Sequence, residues 1–285
     1  CLLSRGLGDV YKRQGYSINS RTAFQYLSDH QGIDQDFSPR SIYFARQDMK
    51  QKMFSEELNI KSTTPGRYKW LFGAFGFWQG IDNTVTLDYF TKDYATRKLY
   101  DTPAYGVAFY HQCTIDDLLT RGLSLTFGIR YDYEHTSNDF LFYKETDGGS
   151  EQMDAFDSRL KFSQVTPKIA LQYMFPSTGM LYATVTKGYK TGGFNTSFDR
   201  EEDRTFRPET SWNYELGAKH PFLDNRLNAE FCFFWIDWKN QQIYQMLATQ
   251  NGQFLRNAGR SESKGVEVSL QAVSYTHLRA HETRG

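Results

Sequence analysis

Apolar and polar residues alternate with period two over long stretches of this chain. In "RGLSLTFGIRYDYEH" (121–135), Leu123, Leu125, Phe127, Ile129, Tyr131 and Tyr133 fall on one side of an extended strand, and Ser124, Thr126, Gly128, Arg130, Asp132 and Glu134 on the other. The same pattern runs through "KIALQYMF" (Ile169, Leu171, Tyr173, Phe175), "LYATVTKG" (Leu181, Ala183, Val185), "RLNAEFCFFW" (Leu227, Ala229, Phe231, Phe233, Trp235) and "KGVEVSL" (Val266, Val268, Leu270). It predicts ten strands, near 16–27, 51–62, 68–78, 104–115, 122–135, 161–175, 180–191, 208–220, 226–240 and 262–272.

A soluble sandwich also alternates, so length and spacing must decide. Globular strands run about five or six residues; these run to about ten or more, enough to cross a bilayer at a tilt of roughly 45°. The connections at 63–67, 116–121, 176–179 and 221–225 are tight and carry turn formers such as Pro65, Gly66, Asp116, Asp117 and Gly179. Those at 28–50, 79–103, 136–160, 192–207 and 241–261 are long. Short and long connections taking turns is the signature of an antiparallel barrel with periplasmic turns at one end and extracellular loops at the other. An arginine facing lipid at mid-bilayer costs about 2–4 kcal/mol, so Arg130, Asp132 and Glu134 are expected to face the lumen and their apolar neighbours lipid. Tyr131, Tyr133 and Trp235 then fall at the outer interface, where amphipathic rings are favoured. The expected fold is all-β: an antiparallel transmembrane β-barrel fragment.

Composition narrows the partners. Basic and acidic residues balance at 33 each, giving no electrostatic footprint for nucleic acid. No run of eighteen apolar residues offers a transmembrane helix, which leaves a barrel untouched. The ends, "CLLSRGLGDVYKRQ" and "VSYTHLRAHETRG", resemble translated sequencing-library adapter; residues 1–14 and 273–285 are read as non-native scars flanking a barrel segment at 15–272. Cys113 and Cys232 then remain, with no CxxC frame.

The stretch "KGYKTGGFNTSF" (187–198) packs lysines, glycines and rings together, but Tyr189 precedes Lys190, so it is no phosphate-binding P-loop. In its wider context, "LYATVTKGYKTGGFN", then "RPETSWNYELGAKHPFLDNRLNAEFCFFWIDWKNQQIY", then "NAGRSESKGVEVSL", the chain resembles the middle-to-late barrel of TonB-dependent outer-membrane receptors. "FSEELNI", "LTFGIRYDYE" and "FSQVTPKIALQY" resemble earlier strands in the expected order, and the likeness covers residues 16–272. The resemblance implies a Gram-negative outer-membrane location, a barrel of about 22 strands filled by a plug, and uptake of a scarce bulky ligand, most often a ferric siderophore, driven by TonB. Plug, TonB box and closing strand are expected outside this chain. Outer-membrane lipid, TonB and the ligand are the implied partners. The other classes considered are a passive porin or adhesion-type barrel and a soluble β-rich binding protein.

Candidate chemistry is sparse. Gly192 and Gly193 are expected to turn the chain out of the strand, with Phe194 and Asn195 opening an external loop. The ligand-binding candidates are Arg130, Lys190 and Arg207 for charge and Phe194 and Tyr244 for stacking or apolar contact. For Lys190 the favoured reading is an ion pair with a neighbouring lumen carboxylate such as Glu215, ahead of contact with an anionic ligand. The acidic runs "ETDGGSEQMDAFD" (145–157) and "DREEDR" (199–204) fit no EF-hand frame and read as solvated loop. His111 and Cys113 share a strand face but lack further ligands nearby. No GxSxG, HExxH or Cys–His motif points to catalysis, so neither an enzyme nor a cofactor is expected.

Overall fold

The structure, a computed structural model, describes residues 2–13 (backbone), 15–34, 39–198, 200–224, 226–248 and 253–272. Its strands are β1 (Leu2–Arg13), β2 (Tyr16–Asp34), β3 (Tyr43–Ser62), β4 (Tyr68–Tyr89), β5 (Tyr94–Asp101), β6 (Ala104–Ile115), β7 (Leu123–Thr146), β8 (Gly149–Met174), β9 (Met180–Lys190), β10 (Gly193–Phe194), β11 (Thr205–Phe206), β12 (Glu209–Phe222), β13 (Leu227–Lys239), β14 (Gln242–Met246), β15 (Gln253–Asn257) and β16 (Arg260–Ala272). The only helical element described is a 3-10 turn at Glu201–Arg204.

One antiparallel sheet carries the wall, in the order β1-β2-β3-β4-β5-β7-β8-β9-β12-β13-β16, with β6 also between β4 and β7. β5 and β6 are one wall strand broken at Thr102 and Pro103. Proline cannot donate to a ladder, yet the seam is closed around it: Thr102 N donates to Ile81 O (2.8 Å) and Ser137 N to Pro103 O (3.0 Å). Each of the ten expected strands is a wall strand. The N-terminal stretch set aside above pairs as β1, from Leu2↔Leu27 to Arg13↔Tyr16; residues 273–285 lie outside the described residues.

Three of the five expected long loops, 28–50, 79–103 and 136–160, are instead mostly wall strand. β7 and β8 run 24 and 26 residues, far past the roughly 9–11 that cross a bilayer, and β2, β3 and β4 are extended likewise. Above the membrane neither face must be apolar, so the alternation fades while the backbone ladder continues. The short turns are held by left-handed residues: Gly122 (φ 87°) and Gly179 (φ 95°). A Cβ on Gly122 would lie 2.4 Å from Met174 O.

The wall is a single layer. Its outward apolar side chains are bare: Phe109 is 60% exposed, Phe127 39% and Phe231 47%, with Ala183 exposed and Leu123 half-buried. A soluble sandwich would bury this face against a second sheet. Buried apolar residues among those described are instead Ala45, Tyr100, Ala104, Ala108, Phe140, Leu247 and Phe254. Several of these belong to the upper concave side, where loops pack. Tyr131, beside Phe109 in the ladder, and Trp235, stacked on Tyr214 at 5.1 Å, both stand eight residues along their strands from the first residue after a short turn, Leu123 or Leu227, the common height that a girdle requires.

One residue breaks the expected sorting. Glu56 shares its face with the exposed Phe54 and Leu58 and therefore points outward. The Ser20 and Thr22 hydroxyls donate to its two carboxylate oxygens, replacing water that the lipid face lacks.

Candidate ligand-facing surface

The concave face is polar at mid-height. Tyr110 Oη donates to Glu57 Oε1 (2.6 Å) and Asn59 Oδ1 (2.7 Å). Arg130, paired with Asp132 (Nη2 to Oδ1, 2.8 Å), lies over the Tyr110 ring at 5.3 Å and the Phe75 ring at 6.0 Å. Alternation places Arg130, Asp132 and Glu134 on this face, as their strand pattern demands.

Above it the 191–207 segment folds inward. This reverses the expected external loop. Gly192 and Gly193 are not turn residues with positive φ; Gly192 is buried, and a Cβ there would meet Phe206 O at 2.4 Å and the Phe162 ring at 2.9 Å. The glycine is needed for close approach of two backbones rather than for a turn. β10 and β11 form a small hairpin (Gly193↔Phe206, Phe194↔Thr205), and the Tyr100 hydroxyl donates to Thr196 O. The acidic run at 199–204 is likewise not simply solvated. Asp203 is 7% exposed and takes Arg200 (3.0 Å), while the Arg204 guanidinium lies 3.8 Å from the Phe156 ring centroid and 5.6 Å from Phe198. Phe156 in turn packs on Phe140 at 4.6 Å. The run at 145–157 forms the tip of the β7–β8 hairpin.

A second segment clasps the first. Asn195, 5% exposed, donates through Nδ2 to Asp203 O and Leu255 O and accepts from Leu255 N, each at 2.8 Å. Asn257 Nδ2 donates to Arg207 O (2.8 Å) and its Oδ1 accepts from Arg207 N (2.7 Å). Gln242 Nε2 reaches Thr191 O at 2.8 Å. Three amide side chains thus do for irregular backbone what a ladder does for strands.

Two cavities lie beneath this roof. The upper, about 330 Å³, is lined by Tyr100, Thr136, Asn138, Phe194 and Phe206 among others. The lower, about 220 Å³, is lined by Phe75, Phe77, Arg130, Asp132, Phe162 and Tyr189. Glu134 lines both. Asn138 is 2% exposed; its Oδ1 accepts from Thr102 (3.1 Å), and its Nδ2 has no partner among the described residues.

Of the five candidates, Arg130 and Phe194 line these adjoining cavities. Lys190 is exposed and faces Glu209 across the ladder, while Glu215 stands opposite Thr184, six residues or roughly 20 Å along the strand; the Lys190–Glu215 pair does not form. Arg207 is exposed, and Tyr244, 66% exposed, sits on the β14–β15 hairpin. Glu134, Asn138 and Asn195 were missed. Glu134 lay in the correctly sorted polar face, but which lumen residue would find a roof depends on where the 191–207 segment folds.

The profile of a family described as "TonB dependent receptor-like, beta-barrel" matches residues 4–284. The chain is 26% identical over 279 residues to the pesticin receptor of Yersinia pestis, covering 95% of this chain and 38% of that receptor. Against the ferric-pyoverdine 358 receptor of Pseudomonas putida it is 27% identical over 133 residues, 42% of this chain and 16% of that one. Among solved structures, the ferric yersiniabactin uptake receptor FyuA from Yersinia pestis superposes with a TM-score of 0.77 at 21% identity, over 94% of this chain and 39% of that one. The siderophore receptor PiuA from Acinetobacter baumannii gives 0.70 at 16%, over 95% and 44%. The chain spans a little over a third of the length of the pesticin receptor.

Proposed function

From the premise that the chain belongs to the TonB-dependent receptor β-barrel family, we propose that it forms part of the wall of a Gram-negative outer-membrane receptor. The receptor takes up a scarce, bulky ligand, a ferric siderophore, with energy supplied through TonB. The observation that carries this reading is the roofed lumen face. A single-layered wall, bare and apolar outside, holds polar and aromatic cavities inside under a folded segment, which suits capture of a ligand rather than free diffusion through an open channel. Arg130 and Phe194 are the contacts favoured by position; Lys190, Arg207 and Tyr244 are exposed first contacts at the mouth.

Uptake of radiolabelled iron by cells expressing the complete receptor tests the reading. Uptake that requires TonB, and that falls when Arg130 and Phe194 are both changed to Ala in a correctly inserted barrel, supports it. Uptake independent of TonB, with general permeability to small solutes, would instead mark a passive porin.

A further inference from the structure

The two roofed cavities carry an unequal set of charges. Arg130 is answered by Asp132 through Nε (2.9 Å) and Nη2 (2.8 Å), so that cation is already spent. Glu134, which lines both cavities, has no ion-pair partner among the described residues. The walls therefore hold one carboxylate in excess. Around it stand aromatic faces: Phe75, Phe77, Phe162 and Tyr189 in the lower cavity, and Tyr100, Phe194 and Phe206 in the upper. No lysine lines either cavity. Rings around a carboxylate attract an ammonium twice over, through the ring quadrupole and through charge, and both attractions strengthen when the roof excludes water.

Asn138 adds a second requirement. A buried amide N–H group without a partner costs free energy, and this one lines the upper cavity at 2% exposure. It is relieved by an oxygen acceptor, a hydroxyl or carbonyl, on whatever fills the space.

We propose that the paired cavities under the 191–207 segment are a subsite for a cationic arm of the ligand, a protonated amine with a neighbouring oxygen, held by Glu134 between the rings and by the Asn138 amide. This rests on the transport reading and refines it. The expectation that cations would draw an anionic group applies to Lys190 and Arg207 at the exposed mouth; Arg130, inside the lower cavity and matched by Asp132, meets the ligand without adding net charge, and the enclosed part of the lumen selects the opposite charge.

The test is equilibrium binding of 2-phenylethylammonium and its neutral isostere 2-phenylethanol to the complete receptor in detergent. The ammonium should bind about tenfold or more tightly, and Glu134→Gln should bring the two within about twofold. Glu134→Asp, which keeps the charge, should keep the preference and serves if the Gln variant fails to fold. Equal affinities in the parent receptor, no ammonium binding up to about 10 mM, or a preference surviving Glu134→Gln would each overturn the proposal. These readings are independent of iron uptake. TonB-dependent uptake without an ammonium preference rejects the subsite alone, and an ammonium preference without such uptake rejects the transport reading alone.

Discussion

Replacing Asn195 with Ala should release the roof without unfolding the wall. The side chain makes three hydrogen bonds at 2.8 Å, two donated to Asp203 O and Leu255 O and one accepted from Leu255 N, at a residue only 5% exposed. A net contribution of about 1 kcal/mol per bond gives about 3 kcal/mol for the clasp. Because two of the contacts join two connecting segments, the third closes the first segment on itself, and none touches the wall ladder, the loss appears as local opening. Three kcal/mol corresponds to roughly a hundred-fold or greater loss of protection. Hydrogen exchange on the inserted receptor reads it directly. The amides of Leu255 and Asn195, the latter bonded to Arg204 O at 2.8 Å, should exchange faster by that factor. Wall amides such as Thr126, in the β6–β7 and β7–β8 ladders, should be unchanged. Unaltered exchange at Leu255 would refute the clasp, and a uniform rise through β7 would refute its independence from the wall.

Phe127→Arg, at an outward position 39% exposed and midway along β7 between Leu123 and Tyr131, should cost about 2–4 kcal/mol in reversible folding into lipid vesicles. An arginine at the adjacent lumen-facing Thr126 should cost far less, and equal costs would contradict the assigned faces. Gly122→Ala, with φ at 87° and a Cβ 2.4 Å from Met174 O, should destabilise by at least about 2 kcal/mol in the same assay; a neutral effect would mean the β7 turn is not as described. Asp101, on the upper wall beyond the bilayer, has its carboxyl raised by burial and then by Asp82 and Asp139. A raised carboxyl binds its proton more tightly when folded, so its contribution favours folding below the folded-state value and is lost as pH rises through it. Asp101→Asn should therefore raise the melting temperature at neutral pH and leave it unchanged below the carboxylate range; the reverse pattern would overturn the assignment.

The wall was legible because the membrane imposes a strict rule on it. Leu123 to Tyr133, and Leu227 to Trp235, alternate since one face must satisfy lipid and the other water, and that rule is written residue by residue. It stops at the girdle. Beyond Tyr133 no face meets lipid, so the extended hairpins of β2–β3 and β7–β8 carried no lipid-imposed period to read, although their backbones stay paired apart from a bulge between Phe142 and Tyr143. The roof was illegible for a different reason. Gly192 could be singled out, but whether its missing Cβ serves a turn or a close approach depends on Phe206 and Phe162, fourteen and thirty residues away. Arg130 and Phe194 were found from face and position, while Asn195 resembles any loop asparagine until Leu255, sixty residues on, comes to meet it. Glu56 marks the limit of the facing rule, since two hydroxyls on the adjacent strand make an outward carboxylate tolerable.

The central claim is that this sheet has lipid on one face and an aqueous lumen on the other. Spin labels attached one at a time along β7, from residue 124 to residue 129 in the receptor inserted in vesicles, test it most directly. Collision with oxygen should peak at 125, 127 and 129, where Phe127 and Ile129 are 39% and 40% exposed. Collision with a water-soluble relaxation agent should peak at 124, 126 and 128. A profile without period two, or one with the two phases exchanged, would contradict the account.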